Sequence, residues 1–391
     1  MTLKFEASAL KAAVTRVAGF VVNGRGLPLR RKIEIRINTV HADNRNAMME
    51  VTANNHSMAK TVKIPITVEV LPGKSSVHID HLQLKRFLAS VNAKPGEIGK
   101  AAIITSDDKA RLEIAIGNAA ITLDGDTEDN PIFPNMSSKR GNIVEFPIGF
   151  FESVRRVAPF ASTNTDRYYL CGVCIEADEE RQICDITATD GARLANIKVP
   201  IIGLDKMFKA QPSIIIPSAL VDEIVAEVGH GRPWFANHYY DDLVGRLHLI
   251  GADWEIIGRM IDGKYPDWRR IVQGIGMTNK ISFSVRRDEL LAATKAIKNV
   301  LGNMQMKFSY ADNRLQVGSK SAVAGAGLHF NFSAASGADF KFHIFPSTLD
   351  EVLKFGESTI VSFRSKGEME PFVVEFEGAN ETVIVMPARG D

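Results

Sequence analysis

Cysteine is scarce in this chain: three residues, Cys171, Cys174 and Cys184, in 391. That excludes a disulfide framework and points to a reducing compartment. No apolar run approaches the roughly 18 residues that a membrane span needs. The opening Met1-Thr2-Leu3-Lys4-Phe5-Glu6 lacks the apolar core of a secretory signal. A cytoplasmic protein with no membrane contact is therefore expected. Charge of one sign is also missing, with 47 Lys and Arg against 46 Asp and Glu. Any nucleic-acid contact must then come from basic residues segregated on one surface. Catalytic motifs are absent as well: there is no G-x-S-x-G, Walker loop, G-x-G-x-x-G or H-E-x-x-H.

Cys171-Gly172-Val173-Cys174 has the spacing of a redox or zinc motif, but it lies in an apolar run that reads as a strand. Residues three apart on a strand face opposite sides. A reactive thiolate needs a helix N-terminus or a nearby cation, and zinc needs a fourth ligand that nothing here supplies. The nine histidines form no ligand pattern, His78 and His81 included. No catalytic group, metal or cofactor is expected, and a thiol-dependent enzyme ranks last among the readings.

A hydrophobic content of 45% and a charged content of 24% describe an ordinary globular chain, long enough for two or three domains. Similar segments occur three times. Leu3-Lys4-Phe5 precedes Leu10, Ala13, Val14 and Val17; Val144-Glu145-Phe146 precedes Phe150, Val154, Val157 and Ala158; Ile281-Ser282-Phe283 precedes Leu290, Leu291, Thr294 and Ile297. Each reads as a short strand followed by an amphipathic helix. A second helix recurs after His78–Leu82, after Ile215-Ile216-Pro217-Ser218 and after Ile344-Phe345-Pro346-Ser347. Pro and Ser there suit the first turn of a helix. Leu123-Asp124-Gly125 with Phe133-Pro134-Asn135, and Ile261-Asp262-Gly263 with Tyr265-Pro266-Asp267, close the first two units. The expectation is an α+β protein of three tandem copies of one domain, 1–138, 139–274 and 275–391, each with antiparallel strands and two helices.

The stretch Asp166–Val199 carries the densest pattern. Asp166–Ile175 reads as a strand, and Ile183–Thr189 and Ala192–Val199 flank Asp190-Gly191. Asp-Gly between strands predicts a type I′ hairpin, with positive φ at both residues. Its tip presents Thr189, Gly191, Arg193 and Leu194, a mixed apolar and cationic surface. Lys11, Arg16, Lys85, Arg86, Arg155, Arg156, Lys295 and Lys298 fall on the expected helices, and Arg25 lies in the turn-like Asn23-Gly24-Arg25-Gly26. They read either as a solvated helix face or as cations turned toward a phosphate backbone, bound without reading bases.

Thr187-Ala188-Thr189-Asp190-Gly191-Ala192-Arg193-Leu194, with Arg167-Tyr168-Tyr169-Leu170-Cys171-Gly172 before it, Gly263–Arg270 after it and Met386-Pro387 near the end, resembles the bacterial sliding-clamp family. These proteins are the β subunits of DNA polymerase III. The match runs in order along the whole chain. The resemblance implies a DNA-clamp fold closing as a homodimeric ring, with sheets outside and two helices per domain inside. It implies a non-enzymatic role: encircling duplex DNA independently of sequence and tethering the replicative polymerase for processive synthesis, after a clamp loader opens the ring. It also implies a pocket for clamp-binding peptides at Arg167, Tyr169, Leu170, Thr189, Gly191, Ala192, Arg193, Leu194, Pro266, Ile271, Ile384, Met386 and Pro387. Arg25, Tyr168 and Lys11 are the implied DNA contacts. The ring interface is expected between Ala120–Leu123 and the helix end around Ile297. Ala192 stands where the family often has a larger polar residue, and Pro217-Ser218-Ala219 lacks the cations some relatives place there. A peptide-binding adaptor that has lost ring closure is the alternative from another class.

Overall fold

The computed structural model describes residues 3–21, 32–39, 47–55, 57–68, 75–91, 94–106, 109–127, 143–147, 149–178, 180–200, 213–228, 234–241, 244–276, 281–312, 314–321, 325–333 and 339–389. One order of elements, strand, helix, four strands, helix, three strands, occurs three times. The first run is β1 (Leu3–Glu6), α1 (Ala7–Arg16), β2 (Lys32–Thr39), β3 (Ala47–Asn54), β4 (Met58–Val68), β5 (Ser75–Asp80), α2 (His81–Ser90), β6 (Ile98–Ser106), β7 (Lys109–Ile116) and β8 (Ala119–Asp126). The second is β9 (Ile143–Phe146), α3 (Phe150–Val157), β10 (Gly172–Asp178), β11 (Ile183–Thr189), β12 (Arg193–Pro200), β13 (Ser213–Pro217), α4 (Ser218–Val228), β14 (Trp234–Asp241), β15 (Val244–Ile250) and β16 (Trp254–Arg259). A linking helix, α5 (Arg269–Gly276), follows. The third run is β17 (Ile281–Arg286), α6 (Arg287–Leu301), β18 (Met306–Ala311), β19 (Arg314–Ser321), β20 (Ala326–Phe332), β21 (Phe340–Ile344), α7 (Pro346–Phe355), β22 (Ile360–Ser365), β23 (Phe372–Phe376) and β24 (Glu381–Val385).

Local pattern explains the elements. Along β7 and β17 burial alternates residue by residue, as a sheet with one covered face requires. Helix α1 buries Leu10, Ala13 and Val14, and α6 buries Leu290, Ala293, Thr294, Ile297 and Leu301, one stripe at helical spacing. Pro346 opens α7, where no N–H is missed. The Ser218 hydroxyl at the start of α4 donates to Cys171 O (3.2 Å).

The chain packs as two compact units, Met1–Pro147 with Ala226–Met260, and Ile148–Val225 with Ile261–Asp391. The second run of elements is divided between them. In the first unit twelve strands form a sheet ordered β1-β6-β7-β8-β5-β2-β3-β4-β16-β15-β14-β9. The second unit holds an eight-stranded sheet, β13-β10-β11-β12-β24-β23-β22-β17, and a four-stranded one, β20-β19-β18-β21. Each unit thus contains one joint between successive runs. β4 pairs with β16 from Met58↔Gly258 to Val62↔Trp254, and β12 pairs with β24 from Arg193↔Val385 to Ile197↔Glu381, both antiparallel.

Two expectations are corrected. Asp166–Ile175 is not one strand: Thr165–Leu170 forms a 3₁₀ segment, and β10 begins only at Gly172. Asn164 Oδ1 accepts the Asp166 N–H (3.0 Å) and Tyr168 O accepts the Cys171 N–H (2.9 Å), so the backbone satisfies itself locally before the strand starts. The hairpin turn is not type I′, since Asp190 has negative φ and Gly191 alone is positive, at 93°. The two central residues are Gly191-Ala192, with positive φ at the first, as in a type II′ turn.

Candidate partner-binding groove

The hairpin tip is held by its own side chains. Thr189 Oγ1 donates to Arg193 O (2.6 Å) and accepts the Gly191 N–H (3.0 Å). Asp190 Oδ1 accepts the N–H groups of Ala192 (2.8 Å) and Arg193 (2.9 Å). A Cβ on Gly191 would stand 2.7 Å from Arg167 Nη1, so glycine here serves both the turn and the approach of that guanidinium. Pairing of β12 with β24 then sets Leu194 opposite Ile384, and Ala192 O accepts the Met386 N–H (2.8 Å). The tail is fastened further on, where the Ala388 N–H donates to His343 O (2.7 Å) and Gln305 Nε2 donates to Arg389 O (3.0 Å).

Two apolar clusters flank this tip. Leu194 and Ile384 pack with Trp268, and Val272 lies against them. Leu170, Cys174, Ile215 and Tyr265 form the second cluster, covered in part by Tyr169 and Ile261. The segment from Ile261 into α5 therefore forms a wall, and it is pinned by charge. Arg269 Nη1 donates to Glu176 Oε2 (2.8 Å) and Nη2 pairs with Asp185, while the guanidinium lies over the Trp268 ring at 4.8 Å. Glu176 and Asp185 are direct cross-strand partners, an arrangement of like charges that is unfavourable unless a cation bridges it. Asn196 Nδ2 donates to Asp185 Oδ1 (3.1 Å) and completes the brace.

The structure gathers most of the residues named from sequence at this tip. Leu170, Thr189, Leu194 and Ile384 are buried, Tyr169 and Pro387 are half-buried, and Arg167, Gly191, Ala192, Pro266 and Met386 are exposed. The Ile271 side chain lies outside the described residues; its neighbour Val272 makes the cluster contact. Arg193 does not serve as a free cationic rim. It bonds Asp190 Oδ2 (2.9 Å), pairs with Glu351 and lies over the Phe160 ring at 5.2 Å. Arg167, exposed with its guanidinium beside Gly191, has no ion pair among the described residues. Sequence reasoning missed Trp268, Tyr265 and Val272; the apolar-to-cationic run Tyr265-Pro266-Asp267-Trp268-Arg269-Arg270 was the available signal. Cys174 is fully buried, and burial pushes its thiol well above the ordinary range; burial likewise pushes Cys184 up to about 12. Both stay protonated and act as small core residues.

Of the DNA-facing candidates, Lys11 and Tyr168 are exposed, and Arg25 lies outside the described residues. Lys85, Arg86 and Lys295 are exposed on their helices. Four other cations are engaged elsewhere, because carboxylates stand within reach of them. Arg16 pairs with Glu227 and Asp253, Arg155 with Glu152, Arg156 with Glu381, and Lys298 with Asp350. Ile297, expected at an interface, is fully buried in its own core.

No protein-family model matches the chain. It is 22% identical over 259 residues to the beta sliding clamp of Helicobacter pylori, a match spanning 64% of this chain and 64% of that protein. Among solved structures, the DNA polymerase sliding clamp of Bacillus subtilis superposes with a TM-score of 0.84 at 18% identity, covering all of both chains. The DNA polymerase III subunit beta of Pseudomonas aeruginosa gives 0.81 at 16% identity, again over all of both chains. The chain has the fold of these DNA clamp proteins along its entire length.

Proposed function

We propose that this chain is a divergent sliding clamp: two copies close head to tail into a ring around duplex DNA and hold the replicative polymerase to it. The observation that carries this reading is a joint built twice and left open once. The fourth strand of one run pairs with the last strand of the next at β4–β16 and again at β12–β24. The corresponding edges left over are β20 and β8. Among the described residues β20 pairs only with β19, and β8 pairs with β7 and, at the single position Asp126↔His78, with β5. A second copy can supply each missing neighbour, and a heterologous contact that closes after one rotation makes a ring. Three domains per copy, 1–138, 139–274 and 275–391, would then form six in all.

The role needs no catalytic group. A closed ring stays on its duplex by topology, so phosphate contacts from Lys11, Lys85, Arg86, Lys295 and Arg25, with Tyr168 nearby, need only be weak and sequence-independent. The groove at Leu194, Ile384, Met386 and Arg167 suits a short peptide with apolar anchors and an acidic or amide residue, such as a polymerase or clamp loader presents. Tethering of this kind raises effective concentration without demanding high affinity. The test is retention on DNA. After loading by a clamp loader, the protein is expected to stay on nicked circular DNA through a high-salt wash and to leave within minutes once that DNA is linearised. Equal retention on both forms would overturn the reading.

A further inference from the structure

The two joints inside the chain share a second feature beyond strand pairing. Arg16-Val17-Ala18-Gly19-Phe20 ends the first helix of the first run, and Arg156-Val157-Ala158-Pro159-Phe160 ends that of the second. Both segments continue into a 3₁₀ turn, Ala18–Phe20 and Ala158–Phe160, with the valine and phenylalanine buried. In both, the arginine reaches the second helix and the last strand of the following run. Arg16 grips Glu227 in the last turn of α4, with Nε at 3.1 Å from Oε2, and Asp253 beside β16, with Nη1 at 2.6 Å from Oδ2. Glu227 is almost fully buried and also takes Lys60 at 2.6 Å. Burial alone would raise the Glu227 pKa, yet Arg16 and Lys60 hold it below its ordinary value. Arg156 pairs with Glu381 at the start of β24, donates to Phe355 O at the end of α7, and lies 5.2 Å over the Phe355 ring.

At the third joint, the one proposed between copies, the corresponding described positions carry no such grip. The buried stripe Leu10, Ala13, Val14, Val17 matches Leu290, Ala293, Thr294, Ile297 in spacing, which puts Ala296 where Arg16 and Arg156 stand. On the facing side the last turn of α2 is Phe87-Leu88-Ala89-Ser90, and the turn before β8 is Gly117-Asn118, with no carboxylate in either. We infer that Arg16 and Arg156 are locks that fix the two internal joints, and that the joint between copies carries no counterpart of them among the described residues. The second clause rests on the ring reading; the first stands within each compact unit. Free surface ion pairs contribute little, but removing an arginine from a buried carboxylate leaves Glu381 without its cation and Glu227 with Lys60 alone, so the effect should be local and larger at the Arg156 joint.

Hydrogen exchange on the full chain tests this, read peptide by peptide by mass spectrometry. Arg16→Ala should speed exchange about tenfold or more in 254–258 and 58–62, and Arg156→Ala in 193–197 and 381–385, each leaving the other joint unchanged. Mixing of differently labelled copies, followed by energy transfer, should proceed at the wild-type rate in both. Should Arg16→Ala give no folded protein, Asp253→Asn removes only the exposed partner and should show the same localised increase, smaller in size. Uniform acceleration along the chain, or none at the joints, would overturn the locks. Faster mixing with localised exchange would overturn the unlocked third joint alone. A chain that never dimerises would remove the ring reading while leaving the exchange result to decide on the locks.

Discussion

Met386 and Leu194 lie at the same hairpin tip yet carry different burdens. Leu194 is buried against Trp268 and Ile384, so shortening it costs core packing as well as any partner contact. Met386 is 42% exposed, with its N–H donated to Ala192 O, which makes it the cleaner probe. Met386→Ala is expected to weaken a clamp-binding peptide by about 1–2 kcal/mol, measured by calorimetry. Stability should move by no more than about 0.5 kcal/mol, as at other exposed positions. A different residue contributes to the acid response of the first unit. His248, at 3.4 Å, and Lys63 hold Glu255 at about 2, against the upward pull of its burial and below its ordinary 4.5. A carboxyl depressed in the folded state stabilises above its unfolded pKa and stops doing so as pH falls through the folded one. The first unit should therefore lose stability between about pH 4.5 and pH 2. In Glu255→Gln that part of the acid melting curve should flatten; an unchanged slope would remove Glu255 from the account.

Among the elements, the two unpaired edges differ from the two paired ones in a specific way. At the internal joints the core-facing side chains are covered: Trp254 and Ile256 on β16, Leu194 on β12, and Val383 and Val385 on β24 are all buried. On β20, Leu328 and Phe330 sit on the same side as buried Phe332 yet remain half-buried, and on β8 Ile121 does so beside buried Leu123. An edge of this kind is normally blunted by charge or proline, or it is occupied by another chain. Leu328→Lys with Phe330→Lys is therefore expected to convert a dimer into a monomer by sedimentation at micromolar protein. The monomer should keep its wild-type circular dichroism. A dimer surviving both substitutions would mean that β20 is not the contact.

For the molecule as a whole, composition and function bear on each other through charge placement. A net charge of +1 would be no obstacle to the proposed ring on DNA, because topology would retain the duplex and the exposed lysines and arginine on the helices would need only to balance phosphates in passing. The retention experiment on circular and linear DNA belongs at this scale, since no single residue supplies the link.

Read alone, the chain determined the thrice-repeated strand leading into a helix and the second helix that follows it, because burial on one face forces a period of two on strands and 3.6 on helices. It also determined the hairpin tip, because Gly191 and its neighbours can turn the chain there. The placing of Cys174 and Cys184 as core residues was likewise legible, since both fall in apolar runs that read as strands. Only the tertiary structure decided which cations are spent on distant carboxylates, since the partners of Arg16 and Arg156 lie 200 or more positions away, and Arg193 adds to its local Asp190 a second partner, Glu351, over 150 away. It also decided that Trp268 packs on Leu194 and Ile384 and that, among the described residues, β20 and β8 are the open edges. Local pattern records which face of an element is apolar; it does not record which distant element arrives to cover it.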